Sequence, residues 1–175
     1  IDLSRAISAY TEKINETVKI KLDVLKALKY ISKEKYDEIY NDIQSLQSNS
    51  KQAIPLCNNT AEVISEYADF LKKLDKLLSL ANTEDLEGYK IYILSAFDKY
   101  EKIKANYSVE NYNKILNIKA TAKEKLSSAT SKNECDTILS NAQNEILLIN
   151  DLLDDEKNNA LNSLLELLNM LKKDF

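Results

Sequence analysis

Two cysteines and a cluster of carboxylates are the residues here whose types could do chemistry, and the 175 residues include no His to assist them. Imidazole is the usual general base beside a nucleophile and the commonest zinc ligand, and this chain lacks both. Cys57 follows the single Pro. Cys135 falls in the first turn of an expected helix, where the N-terminal dipole can lower a thiol's pKa. An isolated Cys is more often a small buried hydrophobe or an inert loop thiol, and we expect both to be free. Two Cys in this length make neither a disulfide framework nor a metal site. Asp151, Asp154, Asp155 and Glu156 form the densest acidic cluster and offer oxygen ligands of the kind Ca²⁺ takes. They lack a Gly turn and alternating ligand spacing, so a solvated patch between helices is the expectation. A glycosidase pair of carboxylates would have to be drawn from distant helices, with no Trp to hold a sugar. We therefore expect no catalytic residue, no cofactor and no metal, and assign no binding residue. Among the ten Tyr, Tyr92 and Tyr30 fall outside the apolar stripes and suit contact with a protein or glycan. Tyr36, Tyr67, Tyr89, Tyr100 and Tyr112 lie on those stripes and read as core.

The elements that would position these residues are helices. One Gly and one Pro nearly exclude β-sandwich and α/β folds, whose turns and phosphate loops need positive φ. Hydrophobic residues at 44% and charged residues at 30% suit a chain with a buried core. A net charge of −4 argues against a nucleic-acid partner. No run of about 18 apolar residues occurs, so no membrane insertion is expected. The opening at Ile1 suggests a segment of a larger protein.

Apolar residues step by three and four along the whole chain. Leu3, Ile7, Tyr10, Ile14, Val18, Leu22, Leu25 and Leu28 predict a first helix over about 3–31. Ser32 is a candidate N-cap for a second helix carrying Tyr36, Ile39, Tyr40, Ile43, Leu46 and Ala53, which Pro55 ends. Asn59-Thr60-Ala61-Glu62 resembles a capping box and opens a third helix through Val63, Ile64, Tyr67, Leu71, Leu74, Leu77 and Leu78. Asn82-Thr83 is read as a break before a fourth helix from Glu84 to Asn106, with Gly88 in its first turns. Ser108 caps a fifth helix through Tyr112, Ile115, Ala122 and Leu126. Ser131-Lys132-Asn133-Glu134 is the best capping box and opens a sixth, with Cys135, Ile138, Leu139, Ala142, Ile146, Ile149 and Leu153. The polar run Asp154–Asn159 is read as a break before a last apolar segment, Ala160 to Leu171.

The chain also resembles itself. Ser32, Tyr36, Ile39 and Ala53 recur 76 residues on as Ser108, Tyr112, Ile115 and Ala129, and the next helix follows in both copies. The expected fold is all-α: two tandem three-helix bundle units, 1–81 and 83–155, in an elongated arrangement. A C-terminal helix, 156–175, would pack on the second unit and stands where a third could begin.

Tyr107 to Ile149 carries a Tyr-Ser start, Glu110-Asn111-Tyr112, Ile115 and Ala122-Lys123. Ala129 then precedes Lys132, Glu134, Asp136, Ile138-Leu139 and Ala142. This pattern resembles the FIVAR-type three-helix repeats of Gram-positive, clostridial-type surface proteins. Cys135 stands where that family usually has Val. The first unit departs from the pattern at Pro55 and Cys57, and no Glu-Asn follows Ser32. The resemblance implies a wall-attached or secreted multidomain parent, an extracellular location and no catalytic residues. The function expected is a non-enzymatic spacer module whose partners are neighbouring domains of the same protein. Two alternatives stand beside it: an adhesin-type module gripping a host protein or glycan through a helix face, and an intracellular helical scaffold assembling through residues 160–173.

Overall fold

The computed structural model describes residues 2–174, and every described element is helical. Helix α1 (Leu3–Lys26) is followed by α2 (Lys33–Ala53), a 3-10 turn at Ile54–Leu56, and α3 (Thr60–Ser95). Then come α4 (Asp98–Lys102), a second 3-10 turn at Lys104–Asn106, α5 (Val109–Ser128), α6 (Lys132–Leu147) and α7 (Leu152–Lys173). The chain divides into two compact units, one ending at Tyr89 and one beginning at Lys90. No described helix is long and apolar enough to cross a membrane.

The first unit closes on one core. Ala6, Ile14, Val18 and Leu25 of α1 meet Ile39 and Ile43 of α2, Ile54 of the 3-10 turn, and Val63, Phe70, Leu74 and Ala81 of α3. Each set repeats at four, seven or eight residues, the spacing that keeps side chains on one helix face. Tyr10 and Tyr67 meet edge to face at 5.2 Å on the rim of this core. Pro55 sits in the 3-10 turn directly after α2, where its fixed φ and missing N–H end the helix.

The second unit is built around Phe97, Tyr112, Ile115, Ala122, Ala142 and Ile146. Leu94, Tyr100, Ile118, Ile138 and Leu139 pack against that cluster. Cys135 is fully enclosed, the small apolar role expected of it.

Helix starts follow their caps. Asp2, Ser32, Ser108, Ser131 and Asp151 each accept a backbone N–H from the residue three positions on. The expected boxes form at Asn59 and Ser131, and they form alike. Asn59 Oδ1 accepts from Glu62 N at 2.9 Å, and Ser131 Oγ accepts from Glu134 N at 3.1 Å. In both, the Glu carboxylate reaches back one residue before the cap, taking Asn58 N at 2.7 Å and Thr130 N at 2.8 Å.

Four expectations need correction. First, no break occurs at Asn82-Thr83, because α3 runs through it for 36 residues. Thr83 Oγ1 donates back to Ser79 O at 3.0 Å, a bond compatible with an unbroken helix, and neither residue removes a backbone donor. Second, the fourth predicted helix is interrupted. Ala96, Phe97 and Tyr100 donate to carbonyls three residues back, which tightens the chain between α3 and α4. Third, α1 stops at Lys26 instead of about residue 31. Fourth, the terminal break lies at Leu148–Asn150, ahead of Asp154–Asn159, which sits inside α7. That helix does not pack as foreseen: none of its residues is buried, and none belongs to the second core.

Candidate functional site

Neither thiol is a poised nucleophile. Cys135 is fully enclosed, and burial pushes its pKa up despite the opposing charge of Lys90. Half-buried Cys57 lies 3.7 Å from Ala53 O, and burial again raises its pKa, helped by Glu62 and Glu66. Raised values leave less thiolate at neutral pH, the reverse of what a catalytic Cys needs. Both are free.

The acidic cluster turns out to be a helix start. Asp151 caps α7, its Oδ1 accepting Asp154 N at 2.8 Å, and Asp154 and Asp155 occupy the first turn. Carboxylates there complement the positive end of the helix dipole. Among the described residues, no group of three or more His, Cys, Asp or Glu is arranged to hold a metal ion.

Two tyrosines singled out as surface candidates separate. Tyr92 is 56% exposed on α3, beside Ile91 at 72%. Tyr30 is instead clamped. Asp85, itself buried, accepts Tyr30 N at 2.7 Å and Ile31 N at 3.0 Å through Oδ1, so one carboxylate on α3 holds the turn between α1 and α2. One helical turn on, Gly88 passes so close that a Cβ there would lie 1.8 Å from Tyr30 O. The Tyr30 and Tyr89 rings complete the clamp edge to face, 4.7 Å apart. The lone glycine of the chain thus sits where a backbone must approach a helix, not where a turn needs positive φ.

The second unit carries a polar groove where α6 gives way to α7. It is lined by Ser108, Asn111 and Lys114 of the α5 start and by Leu148, Asn150 and Asp155 across from them. Asn111 Nδ2 donates to Asn150 O at 2.9 Å, tying the two sides together. Tyr107 lies at the same end, its phenol pKa pushed up by burial and then by the charges of Asp151 and Asp154. The groove offers amides, the Ser108 hydroxyl, one ammonium and two carboxylates, Glu110 and Asp155, with Lys114 Nζ 3.3 Å from Glu110 Oε1. These groups can give and take hydrogen bonds with a polar ligand.

The feature with the largest unused apolar surface is α7. Leu161, Leu164, Leu165, Leu168 and Leu171 are each between 46% and 54% exposed. Their spacing was legible as an amphipathic helix, but nothing in the sequence said that the rest of the unit would leave that face open. Compared with known proteins, the chain matches no family model, and no curated protein or solved structure is significantly similar to it.

Proposed function

We propose that the chain is a non-enzymatic helical module, a structural spacer within a bacterial cell-surface or secreted multidomain protein. The observation that carries this reading is the repetition of one building plan. Ser32 and Ser108 start equivalent helices, and the reach-back boxes at Asn59–Glu62 and Ser131–Glu134 start the helices that follow. Repeating a self-capped helical unit multiplies length without adding chemistry, which is what a spacer requires. The resemblance of Tyr107–Ile149 to FIVAR-type repeats agrees with a surface location. Small-angle scattering of the chain tests the proposal. A distance distribution with a long tail is the expected result; a near-spherical envelope overturns it.

Exposed Ile91 and Tyr92 favour a second reading, an adhesin-type face that grips a host protein or glycan. Adjacent apolar and aromatic groups in water are the anchors that helix-face recognition uses. Immobilised chain exposed to serum and extracellular-matrix proteins would then retain a partner that an Ile91→Ser, Tyr92→Ser variant loses. Equal retention by both chains removes this reading.

A further inference from the structure

We propose that α7 is a self-association helix through which two copies of this chain pair antiparallel. Its apolar strip, Leu161, Leu164, Leu168 and Leu171 with Leu165 beside it, repeats at three and four residues and stands about half exposed. Leucines so spaced form a seam that needs a second helix with the same pattern. No residue of α7 is buried, so the seam is not consumed within the chain.

Charge identifies the occupant and its direction. Asp154 and Asp155 stand in the first turn of α7, and Lys172 and Lys173 in the last. Asp154 and Lys172 are 18 residues apart, which is five turns of a helix at 3.6 residues per turn, so both lie on one line beside the leucine strip. Parallel pairing would set acid on acid and base on base at the two ends. Antiparallel pairing sets the acidic end of each helix on the basic end of the other and also opposes their dipoles. With the 22-residue helices fully overlapped, Leu161 faces the second copy's Leu164, and Leu168 lies over the stem of its Lys157. Asp154 stands beside the second copy's Lys172. The contact is isologous, so each such pair occurs twice.

Sedimentation velocity on the whole chain tests this. The expected result is a dimer at tens of micromolar that Leu164→Glu, Leu168→Glu converts to a monomer with unchanged helical circular dichroism, since neither leucine supports a core. Lys172→Glu is expected to weaken the dimer about tenfold, two exposed pairs being lost at once, and adding Asp154→Lys on the same chain to restore it. In a parallel dimer Lys172→Glu would only exchange one like-charge contact for another. A monomeric wild-type chain overturns the proposal, as does a dimer that survives the leucine changes. A dimer indifferent to Lys172→Glu overturns the antiparallel arrangement. The spacer reading is untouched by any of these results, because it rests on the repeated helix starts within the chain.

Discussion

Gly88 and Asp85 lie one turn apart on α3 and act on the same α1–α2 turn, Gly88 at Tyr30 O and Asp85 at Tyr30 N and Ile31 N. In an open helix, Gly→Ala stabilises by about 1 kcal/mol through propensity. Here the new methyl would meet Tyr30 O at 1.8 Å, a backbone atom held by its neighbours and unable to swing aside like a long side chain. Overpacking of this kind costs about 1–3 kcal/mol, and the clash is severe, so Gly88→Ala is expected to lower stability to urea. A more stable variant would mean that the turn does not approach α3. Asp85→Ala removes the acceptor from two backbone donors, and bonds to a charged group contribute about 1.5–3 kcal/mol each. It should therefore cost at least as much as Gly88→Ala and should expose Tyr30 to quenchers. Cys135 makes a prediction in pH. Its pKa is raised in the folded state from an ordinary 9.0, so on alkalinisation the unfolded chain gives up this proton first. The contribution of the buried thiol is complete below that value and falls away as pH rises above it, up to the folded pKa. Melting temperature measured at pH 8 and pH 10.5 should fall more for the native chain than for Cys135→Ala.

At the scale of elements, the two reach-back boxes can be compared directly. Glu62 and Glu134 each receive a backbone N–H from one residue ahead of the cap, while their own N–H goes to the cap side chain. Ser131→Ala is expected to cost about 1 kcal/mol in denaturant titrations. Glu134→Ala should couple to it in a double-mutant cycle, since both fix the same entry of the chain into α6. Additive costs would show the two bonds to be independent. These starts were legible because a cap is a local event: Ser, Asn and Glu at fixed offsets act within four residues of each other. The stripes were legible for the same reason, and Ile14, Ile39, Ile43, Leu74, Ile115 and Ile146 are all buried where the spacing put them. Where partners decide, the sequence was silent. Phe70 is the largest fully enclosed side chain, yet the stripe was read past it through Tyr67 and Leu71. Asn82-Thr83 resembled a stop, but the apolar and packing positions continue through it as Leu78, Ala81, Asp85 and Tyr89. The role of Asp85 depends on a turn 54 residues earlier, and no local pattern announces it. The groove beside Asn111 was missed likewise, since its two walls come from residues 39 positions apart.

On the scale of the whole molecule, the two cores are unequal, and the difference has a measurable consequence. The first encloses Ile14, Val18, Leu25, Ile39, Ile43, Ile54, Val63, Phe70 and Leu74, contributed by three helices and a 3-10 turn. The second unit buries fewer large side chains, Ile93, Phe97, Tyr112, Ile115, Leu126 and Ile146, with Cys135 and alanines at 122, 129 and 142. A large apolar side chain contributes about 1.5–3 kcal/mol on full burial, so the first unit starts with the larger gain for a similar number of ordered residues. It also carries the Asp85 clamp, whereas α7 adds no buried residue to the second unit. Amide exchange followed in rising urea should therefore release α5 and α6 before α1 and α2, with the α7 amides of the monomer fastest of all. Phe70→Ala, expected to cost about 3–5 kcal/mol, should reverse that order by bringing α1 and α2 below α5. If α5 and α6 outlast α1 and α2 in the native chain, side-chain burial is not what ranks the two units.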